Sequence, residues 1–365
     1  MNHRKADKVF LGIVAALVLV GAFLFFSASL GLLVRNEVLF SSIVFNQFVF
    51  GIGGGLILLI LASRIPYQFL KKSSFYFFII SIILTLLVFV DGIGFEHGGA
   101  KRWILVFGHS FQPAEVLKLS FVIYFAAILS SLKEKVQTFA YGLLPTLILL
   151  GIVGLILIKQ PDTGTFMVIF ITAIAMLIVS GGKWSHVGIL GALSCAGLFI
   201  LAQFKPYIMG RLLTFLDPTR DPLGAGYQLQ QSLIAVGSGG VSGRGFGQSI
   251  QKFGQLPEPV GDSIFAVAAE EFGLIGALII IALFIAFAVR GFHIARNAPN
   301  YFSGLLVAGL VILVISQSFV NIGSMLGVVP LVGVPLLFIS HGGTALWFAL
   351  IEAGIILQVS KYCKN

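Results

Sequence analysis

The chain has 365 residues, 58% of them hydrophobic and only 10% charged, with a mean hydropathy of +1.04. A soluble protein of this length clothes its surface with about 25% charged residues, so the soluble globular class is excluded. The formal net charge of +9 would suggest nucleic acid in a soluble chain, but here it is first a topology signal, and no nucleic-acid partner is expected.

In chain order, Arg4, Lys5 and Lys8 precede an apolar run too long for the core of a signal peptide, which predicts a retained first span. Cutting the sequence at polar and Gly/Pro-rich breaks predicts ten helices of about 20 residues each. They cover 9–34, 40–62, 75–93, 114–131, 140–158, 165–180, 186–204, 263–289, 301–329 and 340–360. The expected fold is an all-α integral membrane protein of about ten transmembrane helices, a single polytopic domain over 1–365. One long loop, 205–262, lies between spans 7 and 8. With the N-terminus inside, cytoplasmic segments carry thirteen Lys and Arg against four on the other face once that loop is set aside. Both termini are therefore expected in the cytoplasm, and the 94–113 and 205–262 loops on the outer face. The only cysteines, Cys195 and Cys363, predict no disulfide framework.

Polar chemistry is concentrated in few places. The long loop carries Arg211, Asp217, Arg220, Arg244, Lys252, Glu258 and Asp262, with seven glycines between 237 and 254. Glycine lets backbone approach a ligand closely, and successive free N–H groups can form an anion nest. No G-x-G-x-x-G or P-loop pattern occurs there. Asp262 opens the eighth span, where a carboxylate is either a helix cap or a general base. Glu115 and Lys118 follow Gln112-Pro113 three residues apart, as a structural ion pair or a functional one. Glu270, Glu271 and Glu352 are open between packing and catalysis. Glu271 points almost opposite to Asp262 on a helix, so both glutamates cannot share a cavity with it. Asn321 to Pro335 and Ser340-His341-Gly342-Gly343-Thr344 predict irregular backbone at membrane depth, tolerated where it lines a protein cavity. The six histidines are scattered, so no transition-metal site is expected.

These clusters together resemble the SEDS family of bacterial cell-wall polymerases, with its FtsW, RodA and SpoVE branches. The resemblance runs along essentially the whole chain. It is carried by Lys101-Arg102-Trp103-Ile104, Phe111-Gln112-Pro113-Ala114-Glu115, Gln160-Pro161-Asp162-Thr163-Gly164, the Asp217-to-Asp262 loop and the Asn321-to-Thr344 cluster. The stretch Gly243 to Phe253 looks more like the FtsW branch. Ala114, Gln255, Leu337 and His341 depart from the usual residues, which touches the branch more than the activity.

The resemblance implies an inverting peptidoglycan glycosyltransferase that polymerises lipid II into glycan strands on the outer face of the cytoplasmic membrane during cell division. It also implies a class B penicillin-binding transpeptidase and divisome proteins as partners, membrane lipid around the spans, and a location at the septum. Asp262 matches the family's essential loop aspartate and would deprotonate the acceptor hydroxyl. The family's polar motif positions match Lys101, Arg102, Trp103, Glu115, Lys118 and Asp162. Lys101 and Arg102, with Arg211, Arg220, Arg244 and Lys252, would offer cations to the leaving pyrophosphate. A divalent cation, Mg or Mn, could assist; the sequence points to no other cofactor. The alternatives are a lipid-linked precursor flippase with Glu115, Lys118, Glu270 and Glu352 as its relay, a division scaffold, and the elongation-type RodA-like polymerase.

Overall fold

Inside a bilayer every backbone N–H and C=O must find its partner within the segment, which leaves helices as the form these apolar runs can take. In a computed structural model, which describes residues 6–34, 36–97, 100–106, 109–220 and 224–363, they do so. Helix α1 spans Lys8–Leu33 and is capped by Asp7, whose carboxylate accepts from the Phe10 N–H at 2.8 Å. The second span is one run of α2 (Glu37–Phe45), a π-helix (Asn46–Gly54) and α3 (Gly55–Ala62). Then follow α4 (Tyr67–Leu86), α5 (Pro113–Leu132), α6 (Leu144–Lys159), α7 (Thr163–Val179) and α8 (Trp184–Phe204). Helices α9 (Pro206–Leu216) and α10 (Ala225–Gly239) precede α11 (Ile264–Arg296), α12 (Tyr301–Met325) and α13 (Gly343–Ser360).

Among the described residues, nine helical runs are long and apolar enough to cross a membrane, and α7, with 17 residues, is a shorter apolar tenth. The chain is an all-α membrane protein in its main architecture. Helices α5, α12 and α13 bury most of their surface at the centre, whereas α8 lies at the periphery. Asp7 N–H donates to Ser360 Oγ at 3.0 Å, so both ends of the described chain meet at one end of the bundle. There Arg290 Nη2 also lies 2.7 Å from Asp7 Oδ2. That pairing explains why the eighth span does not stop at 289 as expected but continues to Arg296: the charge is neutralised at the helix end, and no breaker intervenes. The third span likewise starts earlier than expected, at Tyr67, with Lys71 lying over the Phe302 ring.

Two segments expected as loop are structured. The strands β1 (Gly94–His97), β2 (Ala100–Val106) and β3 (His109–Phe111) form a three-stranded antiparallel sheet, pairing Phe95 with Trp103 and Ile104 with Phe111. Aromatic and β-branched residues favour this pleated surface. The 205–262 loop contains α9 and α10.

Helix α11 is broken at Gly273, where φ is +63°. The interrupted backbone is stitched to the glycine-rich turn after α10. Arg244 N–H donates to Glu270 O at 3.0 Å and Gly245 N–H to Glu271 O at 2.9 Å, while Leu274 N–H donates to Gly240 O at 2.9 Å. Irregular backbone is thereby satisfied by protein, as a membrane interior demands. A Cβ at Gly243 would lie 2.1 Å from Glu271 O, so this seam requires glycine.

Candidate functional site

At the bundle end opposite the termini, four segments converge: the sheet and its exit to α5, the α6–α7 turn, the approach to α11, and the irregular stretch 326–342. Asn321 ties two of them, donating through Nδ2 to Asp262 O at 2.8 Å and to Val334 O at 2.7 Å. Ser340 Oγ donates to Gly261 O at 2.9 Å, and His341 N–H donates to Val260 O at 2.7 Å. The result is a polar cavity of about 640 Å³.

Asp262 lines it. Ser263, not Asp262, occupies the cap position of α11, and among the described residues the Asp262 carboxylate has no hydrogen-bond partner. The helix-cap alternative is thus overturned by one residue of register: the backbone of Asp262 is anchored while its side chain is left to the cavity. Burial raises its pKa to about 6, aided by the negative charge of Glu258 and, less, Asp162, and opposed by Arg102 and Arg211. At neutral pH such a carboxylate is mostly ionised yet close to the range a general base needs.

Arg102, on β2, donates to the carbonyls of Pro161 and Gln160 and faces the cavity from the sheet. Arg211, on α9, lines it from the other side, and among the described residues its buried Nη1 has no partner. An unmatched buried guanidinium donor is an anion site in waiting. Helix α13 begins at the same wall, at Gly343, without a side-chain cap, so its first-turn N–H groups are available there.

Deeper in, Lys118 Nζ lies 2.9 Å from Glu115 Oε2 and donates to Gln317 Oε1, while Gln317 Nε2 donates to Pro335 O at 3.1 Å. Both ionic partners are almost wholly buried, and both line the cavity. Trp103 lines it as well. Asp162 lies just behind: its carboxylate caps α7 by accepting from Thr165 N–H and Thr165 Oγ1, and receives Gln112 Nε2 at 3.4 Å.

Other expected residues go elsewhere. Lys101 pairs with exposed Asp91 at 3.3 Å. Lys252 is wholly buried against Glu271, and Arg244 pairs with Glu270 at 3.5 Å, so the packing of α1, α10 and α11 uses two cations expected at the pyrophosphate. Glu270 also accepts from Ser249 Oγ and Ile250 N–H. The flippase relay therefore loses Glu270, which is committed to holding the loop. The side chain of Arg220 lies outside the described residues. Among the described residues, no group of three or more His, Cys, Asp or Glu side chains is gathered to hold a metal.

The cavity adds Gln112, Gln228, Glu258, Gln317 and His341, none singled out as a site residue from sequence. Neutral amides carry no charge scarcity to betray them, and Glu258 is only one of several loop acids.

A family described as cell cycle protein, spanning FtsW, RodA and SpoVE, matches residues 7–365. The chain is 37% identical over 312 residues to stage V sporulation protein E of Bacillus subtilis, covering 86% of this chain and 85% of that one. It is 40% identical over 325 residues to the probable peptidoglycan glycosyltransferase FtsW of Idiomarina loihiensis, covering 86% and 78%. Among solved structures it resembles a chain of a peptidoglycan synthase complex studied for the coordination of polymerization and crosslinking. The TM-score is 0.80 at 28% identity, with 97% of each chain covered.

Proposed function

The chain belongs to the FtsW, RodA and SpoVE family of cell cycle proteins, and from that premise we propose that it is a peptidoglycan glycosyltransferase polymerising lipid II. The observation that carries this reading is the unpartnered Asp262 carboxylate, beside Arg102 and Arg211, in a polar cavity at one end of an apolar bundle.

Asp262 takes the proton from the acceptor sugar hydroxyl as that oxygen attacks the anomeric carbon of a lipid-pyrophosphate-linked saccharide. The new glycosidic bond forms with inversion as the bond to the pyrophosphate breaks, and the departing charge is received by Arg102, Arg211 and the free N–H groups of α13. Glu115, Lys118 and Gln317 form the cavity floor. The Lys and Arg bias supports a cytoplasmic side for the termini end of the bundle, and on that reading the cavity opens at the outer face of the cytoplasmic membrane. A class B penicillin-binding transpeptidase is the partner, and the Gly243-to-Phe253 stretch favours the division branch at the septum. With Glu115 held by Lys118, a divalent cation would meet the Asp262 and Glu258 carboxylates of the cavity and would take its other ligands from the pyrophosphate.

The test is glycan formation from lipid II by purified protein with its transpeptidase, wild type against Asp262→Ala. Polymer from the wild type and none from the variant is expected. Full activity of the variant sinks the base assignment, and lipid translocation without polymer by the wild type replaces the reading with a flippase.

A further inference from the structure

His341 sits in the cavity wall with one ring nitrogen committed and the other free. Its Nδ1 lies 3.1 Å from Gln47 Oε1. Gln47 comes from the π-helical middle of the second span, is 2% exposed, and donates through Nε2 to Ser340 O at 3.4 Å. That second bond fixes the amide: its nitrogen must face the Ser340 carbonyl, so its oxygen faces the imidazole and can only accept. The imidazole therefore carries its proton on Nδ1, and Nε2 keeps a lone pair. The ring stacks on Phe25, with centroids 5.7 Å apart and planes at 25°, and the backbone N–H of His341, donating to Val260 O, ties the residue to the loop that carries Asp262. Burial lowers its pKa from the ordinary value, keeping it neutral at physiological pH. Among the described residues, Nε2 has no protein partner. A π-helical turn is a costly way to place a buried amide, and such turns cluster where a side chain must be aimed.

We propose that His341 is a substrate-contacting residue: held as the neutral Nδ1–H tautomer by Gln47, it accepts through Nε2 a hydrogen bond from a saccharide donor, a hydroxyl or an N-acetyl N–H. Gln47 is a positioning residue acting through it. The inference rests on the glycosyltransferase reading above and assigns a binding role to residues distant in sequence. Phe25, Gln47 and His341 come from three different spans or their ends, so the contact exists only in the folded bundle.

The test compares His341→Gln, whose carboxamide reaches the place of Nε2, with His341→Asn, whose carboxamide reaches only the place of Nδ1. Initial rates of polymerisation are measured against lipid II in detergent micelles. His341→Asn raises KM by about tenfold with kcat within about twofold, the expected effect of losing one substrate hydrogen bond. His341→Gln restores KM to within about threefold. Gln47→Leu raises KM in the wild-type background and adds nothing in the His341→Asn background, because its effect passes through the imidazole. Equal KM in wild type and both His341 variants overturns the proposal, as does equal impairment of both. Additive effects of Gln47→Leu and His341→Asn remove the positioning role. A wild type that makes no polymer refutes the underlying glycosyltransferase reading instead, so the two failures are distinct.

Discussion

Lys252 Nζ lies 2.6 Å from Glu271 Oε1, and both side chains are fully buried. Ser27 Oγ also donates to Glu271, and Lys252 Nζ donates to Ser27 O at 3.0 Å, so one charge pair joins α1, the loop before α11 and the first half of α11. Lys252→Ala strands a buried carboxylate and is expected to cost about 3–5 kcal/mol, whereas Lys252→Met with Glu271→Leu recovers most of that loss. Thermal unfolding in detergent of the single and double variants checks this. A double variant as unstable as the single one would contradict it.

The break in α11 depends on glycine. At Gly273 the backbone is left-handed, and an added Cβ would meet Gly243 N at 2.4 Å and Val241 O at 2.5 Å, both backbone atoms that cannot swing aside. Gly273→Ala is therefore expected to lose about 2 kcal/mol or more. Gly12→Ala, which meets open space in a regular helix, is expected to be neutral or slightly stabilising. Melting temperatures of the two variants separate these outcomes.

Asp262 sets an acid limb. Its carboxyl is raised to about 6 from 3.8, so activity that needs the base is expected to fall as pH drops below about 6. Glu258 contributes to that elevation, and Glu258→Gln is expected to move the limb to lower pH. A pH–rate series on kcat/KM reads both.

The same shift has a stability consequence. Between about pH 4 and pH 6 the folded protein holds a proton that the unfolded chain has released, so stability is lost as pH rises through that window. Asp262→Asn removes the loss: its melting temperature is expected to exceed that of wild type by a few degrees at pH 7.5 and to match it near pH 4. A lower Tm at pH 7.5 would show that the carboxylate supports the fold.

Asp162 is expected to act mainly as a cap. Its carboxylate accepts from Thr165 N–H and Thr165 Oγ1 at the start of α7. Asp162→Ser keeps a capping oxygen and is expected to lie within about 0.5 kcal/mol of wild type, against about 1–2 kcal/mol lost in Asp162→Ala. Equal loss in both, read by thermal unfolding, would point to its charge.

Much was legible in the chain itself. Scarcity of charge fixed the solvent as lipid, and interruptions in the apolar pattern located ten helices, because backbone satisfaction in a bilayer leaves no other form. Boundaries slipped where a charge found a partner, as at Arg290 with Asp7. The resemblance pointed to Asp262, and spacing along a helix correctly separated Glu271 from it. What sequence could not assign was the destination of each cation. Arg102 and Arg211 reach the cavity of Asp262, while Arg244 and Lys252, from the same polar loop as Arg211, are spent on Glu270 and Glu271. A buried charge takes the opposite charge that packing brings within reach, and that distance is unrelated to separation along the chain. For the same reason Gln47 and His341, 294 residues apart, meet only when the second span is packed beside the start of α13.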